Sequence, residues 1–442
     1  MTNALASLSR RSVLAALGGT AFAGLPLPGF AQSTTPRKTL TLRAAAGTTV
    51  LKAGGAPVAR PMLALAETVV LRRGDEVAVR FENGLTQPAL LSWRGLDGVA
   101  AAEPLVARRP VPPGGNDSFV IPLRAAGTLL VDLRLTADGG PAPMPALPLV
   151  VQEATPPQVD GDEVVLIEDA RLGSDGKPLA SGLDAGDMPW LYTVNGQPTA
   201  DITLRANGRF RLRFINACQR NVIALRIDDH DVRVIALDSQ PAEPFLARNG
   251  TLVLAPGTRV DVLLDATRPP GATSAITLLD GGKPTPIARL VTSSEPPLRP
   301  APLPLPAPLP DNGLPAQLPL SSALRVDLPL GALTSAQLDW FAPDTFVAAK
   351  GPAFQAKRGR TVVLTLNNRA TMPMIFHLHG HHFRLLDRLD DGWKPFWLDT
   401  LAIDAGQTQR IAFAAEYPGL WLIEAFAAKW SAPRLLRSYA VS

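Results

Sequence analysis

The stretch "GDEVAVRFENGL", Gly74 to Leu85, alternates apolar and polar residues with a period of two. Val77, Val79 and Phe81 share one face while Glu76, Ala78, Arg80 and Glu82 share the other, the pattern of a half-buried β-strand. The Asn-Gly pair that follows is a turn signal. The same style recurs along the chain in "KTLTLRAAAGTTVLK", "NDSFVIPLRAAGTLLVDLRL", "DEVVLIEDARL", "RFRLRFINA", "LVLAPGTRVDVLLDA", "RGRTVVLTLNN", "QTQRIAFAA" and "GLWLIEAF". No segment carries the three-to-four spacing of a long amphipathic helix. Many short strands separated by Pro and Gly predict an all-β protein.

Length and composition agree with that class. The chain has 442 residues, 46% of them hydrophobic, with 44 Pro and 36 Gly, which is enough apolar material for two or three cores. The strand-like segments gather into blocks at about 37–153, 160–295 and 319–442. Between the second and third lies "SEPPLRPAPLPLPAPLPDNGLPAQLPL", with a proline at nearly every second or third position. Such a segment, 296–318, can form neither a helix nor a central strand and is expected to run as an extended, polyproline-like linker. Docking of a proline-reading partner is the competing use of such a stretch.

The first 31 residues are set apart from the fold. "SLSRRSVLAALGGTAFAGLPLPGFAQ" places Arg10 and Arg11 before an apolar run and a small-residue region, and it resembles a twin-arginine export signal with cleavage after Ala31. That resemblance implies a bacterial periplasmic protein, exported already folded. Removing the signal's two arginines leaves 41 basic against 39 acidic residues, so the balance is near neutral. There is no basic run of the kind that binds nucleic acid. Beyond the signal no apolar run is long enough to span a membrane, so no transmembrane segment is expected in the mature chain. Cys218 is the only cysteine, which excludes an intrachain disulfide.

Four of the five histidines fall in one stretch, "TMPMIFHLHGHHFRLLD", Thr371 to Asp387. His377 and His379 sit two apart and share a face if the segment is a strand. His381 joins them if that strand runs through Gly380, and His382 points away. A cluster of neutral imidazoles can hold copper or zinc, although a stable site wants three or four ligands from more than one strand. Glu424, Asp132 and the soft ligand Met374 are the nearest candidates to add. Packing histidines within a polar network are the competing reading. His230, in "IDDHDV", reads as a turn residue and Cys218 as a small buried apolar one. "LDRLDDGWKPFWLDT" is dense in Asp and Trp; it reads as a hairpin loop turning at Asp390-Asp391-Gly392, with a ligand pocket as the alternative.

Taken in order, these segments resemble the three-domain multicopper oxidases over nearly the whole mature chain. The resemblance implies three cupredoxin-like Greek-key β-sandwich domains. It also implies a mononuclear copper that collects electrons from substrate and a trinuclear cluster that reduces oxygen to water, together using ten histidines and one cysteine. This chain has five histidines. The family's His-Trp-His-Gly stands here as "SWRG", with Ser92 and Arg94 at the ligand positions. The His-x-His of the first domain stands as Asp132 and Arg134. In "MIFHLHGH", Met374 takes the mononuclear-site position, while His377 and His379 keep the trinuclear type. The last motif, His-Cys-His-x₃-His, stands as Glu424, Ala425, Phe426 and Trp430.

Without a thiolate at Ala425 blue-copper chemistry has no ligand, and two trinuclear positions out of eight do not make a cluster. The resemblance with these losses is to the copper-free, twin-arginine-exported cell-division member of the superfamily. It implies a non-catalytic scaffold or binding protein of the envelope, acting on an unidentified envelope or division partner. No resident cofactor is expected on that reading. The alternative is a copper-binding oxidoreductase or copper carrier with one copper or zinc at His377, His379 and His381. The replacements carry a further expectation. Arg94, Arg134, Asp132 and Glu424 converge where the family keeps its cluster, between the first and third domains. Buried charges persist only when paired, so guanidinium groups are expected to stand in for metal cations.

Overall fold

A computed structural model describes residues 37–331, 340–387 and 392–442. The proposed export signal and the Asp390-Asp391 turn lie outside the described residues. Everything described is strand and loop, apart from four single-turn 3₁₀ segments.

The opening stretch becomes the strand Glu76–Asn83, with Val77, Val79 and Phe81 buried in a core against Leu40, Leu42, Phe119 and Ile121. It pairs parallel with Lys38–Thr49 and antiparallel with Asn116–Pro122. The same arrangement recurs twice. Arg209–Asn216 lies parallel to Gly161–Ala170 and antiparallel to Arg259–Asp265, and Thr361–Asn368 lies parallel to Leu324–Leu330 and antiparallel to Thr408–Ala414. Each of these sheets faces a second one, giving, among the described residues, six sheets and three large apolar cores. Parallel neighbours that are remote in sequence require crossovers between facing sheets, and this is the Greek-key connectivity of a cupredoxin-like sandwich.

An internal repeat underlies the three copies. The equivalent strands end in Asn83, Asn216 and Asn368, all buried. Each side-chain oxygen accepts the backbone N–H two residues on, at Leu85, Cys218 and Ala370. Each side-chain amide donates to a carbonyl four or five residues on, at Gln87, Asn221 and Met372, and to a second carbonyl across the sandwich. One amide thereby satisfies the backbone where the strand leaves its sheet, which loop polarity alone would not do.

The proline-rich segment contains no helix or strand and is held along its length. Its carbonyls accept from arginines and an amide of the second sandwich: Arg205 at Pro296, Asn207 at Arg299 and Arg209 at Leu303. Arg299 returns two bonds of 2.6 and 2.8 Å to Asp160. At its far end Asn312 exchanges two 2.9 Å bonds with the backbone of Ala126 and donates to the carbonyl of Ser239, so a single side chain ties the segment to two sandwiches. The adjacent Gly127 has φ 138°, and a Cβ there would lie 2.4 Å from the Ser239 carbonyl. The first and second sandwiches meet at that point backbone to backbone.

Candidate functional site

The strand Met374–Leu378 is central in its sheet, between Gly419–Ala427 and Thr400–Ile403, and this register sets His377 beside both Glu424 and Thr400. His377 and His379 are buried with ring centres 4.6 Å apart, so the two surviving trinuclear-type positions do come together. His377 Nδ1 lies 2.9 Å from the Asp399 carbonyl. A carbonyl only accepts, so Nδ1 carries the proton and Nε2 presents a lone pair with no protein partner. Burial, reinforced by the charges of Arg94 and His379, holds this imidazole neutral, well below its ordinary range. His379 differs. Its Nδ1 is 3.1 Å from Glu103 and its Nε2 3.8 Å from Glu424. Burial would lower its pKa, but the two carboxylates outweigh burial and raise it to about 9.

His381 does not join this pair. The strand ends at Leu378, and Gly380 with φ 73° turns the chain over the Trp421 ring, which occupies the space a Cβ would need. His381 is directed instead among Phe413, Tyr417, Trp421 and Tyr439. Its Nδ1 is 2.7 Å from the Tyr439 hydroxyl and its Nε2 accepts from the Tyr417 N–H at 3.2 Å. With both nitrogens occupied it has no lone pair for a metal, and burial lowers its pKa to about 4.

Three of the four expected ion-network members meet. Ser92 and Arg94 lie on a short strand paired with Gly127–Asp132, and both are buried. Arg94 Nη2 reaches the Glu424 carboxylate at 3.2 and 3.3 Å, and Arg94 Nε lies 3.8 Å from Asp132. Arg134 departs from expectation. Its backbone N–H donates to the Asp132 carboxylate at 2.9 Å, but its guanidinium turns to the Met144 carbonyl of the first sandwich and to Glu168, at 3.3 Å, and the Cys218 carbonyl of the second. Two residues past the end of the strand Gly127–Asp132, Arg134 follows the chain into the contact with that sandwich. Its place beside Glu424 is taken by Arg434. The Glu424 carboxyl would be raised by burial, but Arg434 and Arg94 hold it well below the usual range. Arg434 and Arg220 both sit over the Phe426 ring, at 4.6 and 5.0 Å, and both pair with Asp138.

The mononuclear positions are filled by packing. Met374 and Ala425 are buried in an apolar cluster, as is Phe426, which stands at a trinuclear-type position between them and Trp430. Trp430 donates from Nε1 to the Ala180 carbonyl at 2.9 Å, accepts from Gly182 and packs edge-on against Trp190 at 5.5 Å. Residues of the second sandwich therefore lie across this position. Cys218 is buried in that sandwich's core, where burial pushes its thiol pKa up. His230 lies in a turn, as expected, with Nδ1 2.9 Å from the Asp228 carbonyl.

A second cluster was missed by the sequence reading. His382 places Nδ1 2.6 Å from Asp97 of the first sandwich and Nε2 2.6 Å from the Asp238 carbonyl of the second. Both contacts require N–H, so the ring is an imidazolium. Burial opposes that charge, and Asp97 and Asp399 outweigh burial, raising the pKa to about 9. Arg259 binds Asp399 through two bonds of 2.6 and 2.9 Å. Asp399, the last acid of the "LDRLDDGWKPFWLDT" stretch, thus forms an interdomain ion pair, and Trp393 and Trp397 of the same stretch flank Arg384. Asp97, Asp238, Arg259, Asp138, Glu103 and Arg434 belong to no motif. Of these only Arg259 lies on a strand, and nothing local in the sequence marks the others.

Copper does not fit the donors present. His377 Nε2 and His379 Nε2 both lack a hydrogen-bond partner, but Glu103 and Glu424 favour a proton on His379, and the next group is a guanidinium already bound to Glu424. Among the described residues no three His, Cys, Asp or Glu side chains are arranged to hold a metal.

Three multicopper oxidase family profiles match this chain, at residues 63–131, 160–276 and 328–441, and the chain belongs to the multicopper oxidase family. It is 24% identical over 403 residues to the multicopper oxidase MmcO of Mycobacterium tuberculosis, covering 79% of this chain and 76% of that one. Laccase-2 of Oryza sativa is 27% identical over 230 residues, and that match spans 40% of the laccase. Among solved structures, the fold is similar to a multi-copper oxidase from Pseudomonas thermotolerans, with a TM-score of 0.76, 24% identity, and coverage of 92% of this chain and 99% of that one. Lac15 from a marine microbial metagenome gives a TM-score of 0.70 at 26% identity, covering 88% and 96%.

Proposed function

We propose that this protein keeps the multicopper oxidase fold without its oxygen chemistry and serves as a scaffold or binding protein of the bacterial cell envelope, exported folded to the periplasm. The observation that carries this reading is Glu424 clasped by Arg94 and Arg434 at a cluster-ligand position. Two guanidinium cations there supply positive charge that metal ions would otherwise bring, and they repel any incoming cation. The Arg10-Arg11 signal supports the destination, and Trp430 packed beneath Trp190 supports loss of an electron-entry face.

A second reading, a copper carrier or copper-binding oxidoreductase, is favoured by one observation, the bare Nε2 of His377 beside His379. Oxygen consumption separates the two. The purified protein, supplied with excess copper and either a phenol or cuprous ion as reductant, is expected to consume no oxygen beyond that due to free copper. Turnover that scales with protein and vanishes in His377→Ala plus His379→Ala would overturn the scaffold reading.

A further inference from the structure

The strap between the second and third sandwiches has a face that the fold itself does not use. From Arg299 to Pro310 every residue is a proline or precedes one. Proline fixes its own φ, and the residue before a proline is kept out of the helical region. The backbone is left with the polyproline II conformation, which turns once in about three residues. Burial follows that period: Leu303, Pro306 and Leu309 are buried or half-buried, and the residues between them are exposed. Leu309 packs on Ile235, Ala236 and Leu263 of the second sandwich, and the Leu303 carbonyl accepts from Arg209.

Proline recurs every second residue while the backbone turns every third, so the leucines cannot all face inward. Leu303 and Leu309 do. Leu305 faces out and, at 77%, is the most exposed large apolar side chain among the described residues. It stands in an outer row with Pro302 and Pro308, beside a second exposed row of Ala301, Pro304 and Ala307. The ridge carries no charge between Pro300 and Pro310, and Arg299 at its start is bound to Asp160. Open space adjoins it. Leu305 and Pro306 border a cleft of about 860 Å³ shared with Leu246, and a second of about 330 Å³ shared with Gln158.

We propose that this ridge is the docking site of a partner protein that reads polyproline II through a groove lined with aromatic rings, the walls of the groove entering the two clefts. A ridge that is already ordered and pinned along its inner face loses little entropy on docking, and flat rings are the surfaces that fit its proline rows. With no charge on the ridge, apolar and ring contacts carry the recognition. A second copy of this chain offers no such groove, because Phe245 is the one fully exposed aromatic side chain among the described residues. The inference rests on the ridge alone and stands whether or not copper binds.

Photocrosslinking in permeabilised cells that make the protein tests it, with benzoylphenylalanine placed at Ala307 or, as a control, at Val347, which is exposed on the third sandwich. The Ala307 position is expected to give a protein adduct that Val347 does not, and the crosslinked peptide of the partner should contain Trp, Tyr or Phe. Leu305→Glu, and separately an excess of synthetic peptide with the sequence from Arg299 to Pro310, should each lower the adduct at least roughly tenfold, with the melting temperature of the purified variant unchanged. No adduct, an adduct to lipid or to a second copy of this chain, a partner peptide without aromatic residues, or an adduct indifferent to either the variant or the peptide would overturn the proposal.

Discussion

At the scale of single residues, Glu424 carries the heaviest electrostatic burden. It neutralises Arg94 and Arg434 in a site closed to water, and removing one partner of a buried pair leaves an uncompensated charge. Glu424→Gln should therefore cost about 3–5 kcal/mol in denaturant titration, whereas loss of an exposed, solvent-screened pair such as Arg289–Asp201 should leave stability nearly unchanged. Equal small effects would mean that the buried pair is solvated. His382 gives a pH signature. Its folded pKa, about 9, lies above its ordinary 6.5. The native state thus holds a proton that the unfolded chain releases, and its stabilisation is complete below the lower value and lost as pH rises through the higher one. The loss is on the order of 3 kcal/mol per such group, and His379 shares the window. His382→Gln should be less stable at pH 6 than the native chain and should lose less between about pH 6.5 and 9, measured by denaturation at a series of pH values. A variant as steep as the native chain would show that His382 does not titrate there. The meeting of Arg94, Asp132 and Glu424 was legible, because each stands at a ligand position of one motif or another. Arg434, Asp138, Asp97 and Asp238 were not, since nothing local marks them and only the packing of three sandwiches sets them opposite their partners.

At the scale of elements, alternation carried most of the information. Val77, Val79 and Phe81 announced a strand with one buried face, and that face is the core of the first sandwich. The repeated asparagine at strand ends was visible in principle as "FEN", "FIN" and "LNN", but its meaning lies in carbonyls brought from elsewhere, which spacing does not reveal. Proline content excluded helix and central strand at 296–318; it said nothing of what the segment touches, because polyproline backbone exposes carbonyls that any nearby donor can take. The strap's attachment can be tested at its junction. Gly127→Ala forces a Cβ against the Ser239 carbonyl in a backbone conformation that side chains rarely adopt, and Asn312→Ala strips the Ala126 N–H of its acceptor. Each change should destabilise by about 1–3 kcal/mol and speed amide exchange along 296–318. Exchange that stays slow in both would mean the strap is held elsewhere. His381 shows the limit of strand logic: one glycine with positive φ, at Gly380, sends the second half of the histidine stretch into a different environment.

At the scale of the whole molecule, the three sandwiches are joined by buried charge. His382 touches the first and second sandwiches from the third, Arg259 ties the second to the third, and Arg94 ties the first to the third. Such a junction should make the sandwiches unfold together. Scanning calorimetry is expected to show one transition in the native chain and separated transitions in Arg259→Gln, and separated transitions in both would deny the coupling. The junction gathers Arg94, Asp132 and Glu424, the positions that the sequence resemblance aligns with cluster ligands, and its charges compensate one another. The most direct test is the metal content of the chain after export into a copper-supplemented periplasm and purification without chelator. The result expected here is below about 0.1 copper or zinc per chain, with a melting temperature unmoved by added copper. One tightly held copper per chain that disappears in His377→Ala plus His379→Ala would contradict it.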